Sequence, residues 1–282
     1  TVAVVKDGAG IGRTMLLPEK SSIIGTMQYL IPKNCIEPEY LYYAVKYMHL
    51  EKYFSGATIP HIYFRDYKTE EFNLHNKTEQ QEIISTLKRV EAVISNRREQ
   101  LAMLDELVKA RFVEVFGDKN YHYESLINLI LDGTSLSYGI VQPGNDGTGD
   151  MGVLRPVDIV DGKLTMSSIK YIDRSIGEGF KKTELDGDEL LITVRGTTGI
   201  TALTDGRFAG MNVTRGIAVI RYNRKKINPL YLNAYFNTDE SQRYIQEHTR
   251  GATLQQINLS DLRIQRIMLP PLSLQNQFAA FV

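Results

Sequence analysis

The longest uninterrupted helical pattern in the sequence lies between Thr78 and Phe116. No Gly or Pro occurs in this stretch, and apolar residues recur at alternating spacings of four and three. Such a heptad repeat predicts a long helix whose apolar stripe, here called the seam, packs against a second long helix. Thr78 and Gln81 fit a capping box, and Gly117-Asp118 fits a helix stop. A helix over 79–116 would be about 57 Å long at ~1.5 Å per residue, which suits a spacer. The seam consists of Ile83, Leu87, Val90, Ile94, Leu101, Leu104, Val108 and Val115.

Length and composition limit the class of protein. A chain of 282 residues with 43% hydrophobic residues has room for about two folded domains. Its formal net charge is zero, so any surface that binds nucleic acid must be local. The single cysteine, Cys35, excludes an internal disulfide and favours a reducing, cytoplasmic compartment. We find no apolar run of transmembrane length and no signal peptide. Because the sequence starts with Thr, we expect it to begin inside a longer gene product.

Four short motifs occur twice in the chain, in the same order. The two copies of each motif are separated by about 190 to 195 residues. Order and near-constant spacing together indicate a duplicated unit of about 195 residues, a length that suits a domain with its connector. The motif starts pair Val5 with Val194, Ile36 with Ile227, Gly56 with Gly251, and Gln80 with Gln275.

The duplication predicts the domain organisation. The stretch 121–191 has no counterpart in the first copy, and the second copy stops at Val282, where its long helix begins. Mixed strand and helix patterns in both copies predict an α+β fold, with two domains linked by the long, coiled-coil-forming helix. The expected elements include helices at about 38–54, near 123–131 and at 229–248, and a short strand near 71–74. We expect the C-terminal part of a first domain at 1–77, the spacer helix at 78–118, a complete second domain at 119–271, and the start of a second long helix at 272–282.

Patterns that would carry catalysis or metal binding are absent from the sequence. The five histidines and Cys35 lack metal-ligand spacing. Glycines between Gly8 and Gly12 resemble a nucleotide loop only loosely, and a structural turn explains them better. Asp161-Gly162 suits a hairpin turn better than a nuclease motif, and the stretch 228–231 suits a helix start better than a methyltransferase motif. The sequence therefore predicts a non-catalytic chain.

The duplicated Gly-Ala-Thr loops at Gly56 and Gly251 have many hydrogen-bonding neighbours. Gln and Asn side chains pair with adenine edges, Arg pairs with guanine, and Lys and Arg bind phosphates. These residue types suggest contacts with DNA, although each side chain taken singly also fits an ordinary solvated surface. The candidates are Thr58, His61, Tyr63, Arg65, Lys181, Lys182, Arg195, Thr197, Thr198, Asn212, Arg215, Arg250, Thr253, Gln255 and Gln256.

Three features together resemble one known family. They are the helix end Leu107–Asp118, the two Gly-Ala-Thr loops, and the segment Leu269–Gln275 with its Pro-Pro pair. With the duplicated order, they make the whole chain similar to the DNA-specificity (HsdS) subunits of type I restriction–modification systems. The resemblance implies two target-recognition domains, each reading half of a split DNA site, with long helices that fix the gap. The stretch 73–78 departs from it, because it lacks the Pro-Pro pair.

The resemblance also implies partners. These would be double-stranded DNA, methyltransferase subunits that modify adenine N6, and restriction subunits that combine a translocase with a nuclease. S-adenosylmethionine, ATP and magnesium would belong to those partner chains, and this chain would hold none.

Other classes of protein stay open at this point. A coiled-coil adaptor that does not bind DNA would explain the helix but not the two loop-bearing domains. A methyltransferase with its own recognition domain would need a cofactor motif, which we do not find. A half-subunit could homodimerise to form the DNA-recognition module. In each case most of the seam lacks a matching helix within 1–282, so we expect the chain not to be a free monomer.

Overall fold

The protein divides into two compact parts in a computed structural model that describes residues 1–56, 59–117, 119–144, 147 and 149–282. Unit 1 is Thr1–Ala102 and unit 2 is Met103–Val282. The division falls inside one long helix. The domain boundaries expected at residues 77, 118 and 271 stay predictions.

Unit 1 is built on a three-stranded antiparallel sheet in the order β2-β1-β3. Its strands are β1 (Val2–Val5), β2 (Thr14–Leu16) and β3 (Met27–Leu30). The helix α1 (Pro38–Tyr47) begins with a proline at its first turn, as expected, and packs on the sheet. Two buried clusters form the core: Val4, Val45, Leu50, Ile62 and Tyr67 in one, and Ile36, Tyr40 and Ile84 in the other.

The helix expected to continue to Phe54 instead ends at Tyr47. A separate 3-10 turn, Leu50–Tyr53, follows after His49, whose φ of 51° breaks the helix. A short helix, α2 (Phe64–Tyr67), comes next. The stretch 71–74, expected to be a strand, has no regular secondary structure and pairs with no strand among the described residues.

The long helix α3 runs from Lys77 to Phe116, close to its predicted bounds. Its capping box was predicted two residues too far along the chain. Asn76 accepts a hydrogen bond from Glu79 N at 3.0 Å, and Glu79 accepts one from Asn76 N at 3.0 Å, so Thr78 and Gln81 are not the cap. The helix ends as predicted at Gly117, but not in a left-handed turn. A Cβ on Gly117 would lie 2.6 Å from the carbonyl oxygen of Val113, and this close approach favours glycine.

The seam of α3 is exposed along its middle, and the buried side of the helix is shifted by one residue from the prediction. In unit 1 the side chain of Ile84, rather than Ile83, is buried. In unit 2 Phe112 and Phe116 are buried, while Val108 and Val115 are half-buried beside them. The seam residues exposed to solvent are Val90, Ile94, Leu101 and Leu104.

Unit 2 contains ten strands among its described residues. Its sheets have the orders β10-β9-β12, β11-β5-β8, β13-β4 and β6-β7. The last of these is the hairpin predicted from Asp161-Gly162, and both turn residues have positive φ. The strands are β4 (His122–Ser125), β5 (Met151–Leu154), β6 (Ile159–Val160), β7 (Lys163–Leu164), β8 (Lys170–Ile172), β9 (Leu190–Thr193), β10 (Thr201–Leu203), β11 (Asn212–Val213), β12 (Ile217–Ile220) and β13 (Arg266–Leu269).

The helices of unit 2 are short. The single helix expected over 229–248 is divided, because Thr238 caps a new helix by accepting a hydrogen bond from Ser241 N at 3.3 Å. The helix expected near 123–131 is strand β4 followed by a 3-10 turn, Leu126–Leu129. The helices are α4 (Arg174–Gly177), α5 (Pro229–Phe236), α6 (Asp239–His248), α7 (Leu259–Ile264) and α8 (Leu272–Ala279).

The central strand β9 has both faces covered, which explains its continuous apolar sequence. Leu190 and Ile192 belong to the larger core cluster, while Leu191 between them belongs to a second cluster on the opposite face. In the larger cluster Phe112 of α3 stacks on Tyr231 of α5, with ring centroids 5.5 Å apart.

The internal duplication predicted from the sequence is visible in both units. The sheet β2-β1-β3 of unit 1 has the same strand order as the sheet β10-β9-β12 of unit 2. The hydroxyl group of Tyr40 donates to the carbonyl of Asn73 at 2.7 Å, and that of Tyr231 donates to the carbonyl of Met268 at 2.7 Å. The match of Val5 with Val194 made from the sequence is wrong by one residue. Val5 N donates to the carbonyl of Arg13 as Thr193 N donates to that of Ile200, both at 2.9 Å, so Val5 corresponds to Thr193.

The two glutamines of the repeat occupy equivalent buried positions. The side-chain oxygen of Gln80 accepts a hydrogen bond from Glu37 N, and that of Gln275 accepts one from Asn228 N, each at 2.8 Å. Their amide groups donate to backbone carbonyls of His75 and Pro270, respectively. The starts of α3 and α8 are therefore fixed to the residues that precede α1 and α5, respectively.

Candidate nucleic-acid interface

The second Gly-Ala-Thr loop is a closed turn between Arg250 and Gln256. The backbones of these two residues exchange two hydrogen bonds of 2.8 Å. Gly251 has a φ of +103°, which only glycine adopts readily, and a Cβ there would lie 2.2 Å from the carbonyl oxygen of Leu254. The sequence therefore requires glycine at this position to form the loop.

Backbone hydrogen bonds attach this loop to one end of the sheet β10-β9-β12. Gly196 N donates to the carbonyl of Gln255 at 2.8 Å, and Ile257 N donates to that of Val194 at 3.0 Å. Arg215, just before β12, lies at the same end of the sheet, because β9 and β12 are antiparallel. This end of the sheet thus positions side chains from three separate chain segments.

Most side chains at this end of the sheet are exposed, so that a ligand can contact them. Thr197, Arg215, Thr253 and Gln255 are exposed, and Arg195 and Gln256 are half-buried. Arg250 is exposed and lies 3.8 Å from Asp261. The hydroxyl groups of Thr198 and Thr249 form a hydrogen bond of 3.0 Å. This end of the sheet therefore carries amide, hydroxyl and guanidinium groups.

The first loop, in unit 1, is closed by backbone hydrogen bonds in the same way. Ser55 and His61 exchange two backbone hydrogen bonds of 2.8 Å, and Gly56 has a φ of +100°. Gly8 N donates to the carbonyl of Pro60 at 2.9 Å, as Gly196 does to that of Gln255. Thr58, also predicted as a contact, lies outside the described residues.

The side chains at the first loop differ from those at the second. The ring of His61 contacts the carboxylate of Asp7 and lies 4.0 Å, centroid to centroid, from the ring of Tyr63. The guanidinium of Arg65 lies 4.4 Å from the same tyrosine ring. The loops thus share their closing hydrogen bonds and a positive-φ glycine, but the described side chains form an aromatic and cationic surface in one unit and an amide-rich one in the other.

Some predicted contacts lie elsewhere. Lys181 and Lys182 are exposed, but the carbonyl of Lys182 accepts a hydrogen bond from Arg221, which follows the far end of β12. Asn212 was predicted as a contact and is fully buried. Its side chain accepts from Thr183 at 2.8 Å and donates to the carbonyl of Phe180, so it stabilises the fold and does not reach a ligand. A surface role was expected because burial is not apparent from a lone Asn.

Sequence analysis missed a polar depression beside the second loop. It has a volume of about 560 Å³, and its walls include Tyr138, Ser260 and Arg263. Arg263 donates to the carbonyl of Leu136 at 2.8 Å, which holds its side chain across the depression. Ser260 could have been found from the repeat, because it occupies the position of Arg65 in the second copy.

Other charged groups are already paired. Hydrogen bonds from Arg207 lower the pKa of Asp205 to about 2, and the two side chains form an ion pair. Among the described residues no group of three or more His, Cys, Asp or Glu could hold a metal ion. Nor is any helix in the described ranges long and apolar enough to cross a membrane.

Comparison with known proteins identifies the family. The model of the type I restriction modification DNA specificity domain matches residues 2–104 and 148–282, which make up most of the chain. The chain belongs to this family. The resemblance inferred from the helix end, the loops and the duplication is therefore confirmed.

Individual members of the type I specificity family are distant in sequence. The chain is 26% identical over 152 residues to the type I restriction enzyme EcoBI specificity subunit of Escherichia coli, covering 54% of the chain and 32% of that protein. It thus spans about a third of the length of this curated relative. The S subunit of the type I restriction-modification system of M. genitalium is similar in structure, with a TM-score of 0.50, 16% identity, and coverage of 99% of this chain and 74% of that one. The HsdS subunit from Thermoanaerobacter tengcongensis has a TM-score of 0.43 and 18% identity over 87% of this chain and 61% of its own. At these identities, the M. genitalium structure supports the fold alone.

Proposed function

We propose that this chain is a non-catalytic DNA-recognition subunit in which each unit reads one half of a split target site. The observation that carries the proposal is the pair of loops. The loops are closed by the same pair of backbone hydrogen bonds, between Ser55 and His61 in one and between Arg250 and Gln256 in the other, whereas the side chains beside them differ. A common support with variable side chains suits the recognition of two different base sequences.

The chemistry of the second loop suits a DNA groove. The amides of Gln255 and Gln256 can each donate and accept at once, which matches the adenine edge in the major groove. Arg195, Arg215 and Arg250 can neutralise phosphates on either side. The polar depression at Tyr138, Ser260 and Arg263 would extend the same contact surface.

In the first loop Arg65 supports a different contact. A guanidinium can bind guanine O6 and N7 together, and the ring of Tyr63 holds it in a fixed orientation. Unit 1 would therefore favour a guanine through Arg65, whereas unit 2 would favour an adenine through Gln255 or Gln256.

We further propose that the chain directs methyltransferase and restriction subunits to DNA. S-adenosylmethionine, ATP and magnesium would bind to those partners. Support comes from membership of the type I specificity family. The exposed seam side chains of α3 offer a surface for helices of a partner.

Methylation mapping tests the proposal. The intact system would be expressed in cells that lack other methyltransferases, and the modified adenines would be located in genomic DNA. We expect one sequence with two specified halves and an unspecified gap. Substitutions beside Gly251 should change only one half, and those beside Gly56 only the other. A methylated sequence that is unaffected by both sets of substitutions would contradict the proposal.

A further inference from the structure

Each of the two Gly-Ala-Thr loops carries a large apolar side chain three residues after its first glycine. Leu254 follows Gly251, and Ile59 follows Gly56 at the same spacing. The side chain of Leu254 is 47% exposed, and that of Ile59 is 66% exposed. One exposed leucine would need no explanation, because isolated apolar residues are common on protein surfaces. An exposed apolar residue at the same position of both copies indicates a role that the two loops share.

The backbone of each apolar residue is held against the glycine of its loop. A Cβ on Gly251 would lie 2.2 Å from the carbonyl oxygen of Leu254, and a Cβ on Gly56 would lie 2.5 Å from that of Ile59. Each carbonyl group therefore occupies the space that a side chain on the glycine would need. The next residue in each loop accepts the backbone hydrogen bond, of 2.8 or 2.9 Å, that attaches the loop to an earlier part of its unit. Backbone contacts thus fix both apolar residues in equivalent positions.

The surroundings of Leu254 are polar and cationic. Thr253 and Gln255 flank it in the sequence, and Arg215 and Arg250 lie at the same end of the sheet β10-β9-β12; all four are exposed. Charged residues are depleted at the centre of protein–protein interfaces, so these neighbours do not favour a protein partner. An apolar side chain among amide and guanidinium groups suits a DNA groove instead, because the base edges there include one apolar group, the thymine methyl group.

We propose that Leu254 is a specificity-determining residue that contacts the C5-methyl group of a thymine in the major groove, and that Ile59 does the same in the other half-site. This inference rests on the proposed function. An A·T pair presents the thymine methyl group beside N6 and N7 of the adenine. Leu254 and Gln255 are adjacent in the sequence, so together they suit the two bases of such a pair.

The inference predicts a property that the two half-sites share. The polar side chains beside the loops differ, whereas the apolar residue recurs, so each half-site should contain a thymine whose methyl group contributes to binding. Removing that methyl group should weaken binding about fourfold, which corresponds to about 0.8 kcal/mol at ~1.4 kcal/mol per tenfold change.

The test uses the protein purified from the intact system, with the subunits that accompany it. Fluorescein-labelled duplexes carry the sequence that methylation mapping identifies, and in each duplex of a series one thymine is replaced by deoxyuridine, which lacks only the methyl group. Fluorescence anisotropy gives the dissociation constants. We expect one deoxyuridine in the half-site of unit 2 to weaken binding by the parent protein about fourfold. The same replacement should leave binding by Leu254→Ala unchanged, because the shorter side chain does not reach the methyl group.

The matched control is Leu131→Ala. Leu131 is 43% exposed, and its backbone N–H donates to the carbonyl of Arg221, which follows the end of β12 away from the loop. This variant should lose as much affinity as the parent protein when the thymine is replaced. Ile59→Ala should remove the effect of deoxyuridine in the other half-site alone. Circular dichroism would verify that each variant is folded.

Two results would overturn the inference and leave the proposed function intact. In the first, the parent protein prefers the mapped sequence to a scrambled one but binds every deoxyuridine duplex as tightly as the thymine duplex. In the second, Leu254→Ala loses as much affinity as the parent protein when the thymine is replaced, which would assign the methyl contact to another residue. A parent protein that does not distinguish the mapped sequence from the scrambled one would overturn the proposed function, and this inference with it.

Discussion

Replacing Gly251 with Ala should impair DNA recognition while leaving unit 2 folded. The backbone at this position has a φ of +103°, and a Cβ would lie 2.2 Å from the carbonyl oxygen of Leu254. A non-glycine residue in such a conformation costs about 1–3 kcal/mol, and the contact is too short to persist. The loop must therefore open between Arg250 and Gln256.

Opening the loop also removes its two cross-loop hydrogen bonds, which are worth about 0.5–1.5 kcal/mol each. The local cost is then about 1–3 kcal/mol of strain if the loop stays closed, or about 1–3 kcal/mol of lost hydrogen bonds if it opens. Because the loop is exposed, the chain can relieve this strain locally instead of unfolding. Gln255 and Gln256 would lose their fixed positions.

The assay is fluorescence anisotropy with the methylated sequence found by mapping and with a scrambled sequence. We expect Gly251→Ala to reduce the preference for the target at least tenfold, with a melting temperature within a few degrees of the parent. Gly206→Ala is the matched control, because its φ is not positive and no heavy atom lies within 4 Å of a Cβ there. Unchanged discrimination in Gly251→Ala would refute the argument that the loop backbone positions the contacts.

Other variants separate contact types and test the helix. Gln255→Ala or Gln256→Ala should weaken binding to the target by about 1–3 kcal/mol relative to scrambled DNA, whereas Arg215→Ala should weaken both alike and reduce the salt dependence. Equal losses on both DNAs for the Gln variants would show that they do not contact bases. Phe112→Ala should destabilise unit 2 by about 3–5 kcal/mol in denaturant unfolding, because its ring packs on Tyr231 and other rings of the core; a change below 1 kcal/mol would contradict this packing. Light scattering should show that the 1–282 chain associates through its exposed seam, and a stable monomer with no partner would exclude that role for the seam.

The sequence predicted well those features that depend on periodicity or repetition. The heptads placed α3 to within two residues at its start, since no Gly or Pro competes with the helix. The repeat predicted matching folds, and it related Gln80 to Gln275 before their shared hydrogen bonds were known. Asp161-Gly162 predicted its hairpin, because positive φ at both positions is rare for other residues.

Features that depend on tertiary contacts were predicted less well. The buried face of α3 contains Ile84 and Phe112 because separate cores form at its two ends, and a continuous heptad seam does not indicate where such cores lie. Asn212 has the composition of a contact residue, but partners distant in sequence bury it. The helix is capped at Asn76 because Asn76 and Glu79 exchange side-chain to backbone hydrogen bonds. Thr78 was predicted instead because Thr78 and Gln81 have the same capping-box spacing.

The buried glutamines have a consequence for the exchange of domains between related proteins. Gln80 in α3 and Gln275 in α8 each fix their helix to the residue before α1 or α5 through backbone groups, so the attachment does not depend on which side chains the domain carries. A crossover that replaces the segment around a Gly-Ala-Thr loop but leaves the glutamine in place would keep this junction intact. Recombination could then combine a new half-site with an old one in a single event, without a new way of attaching the domain.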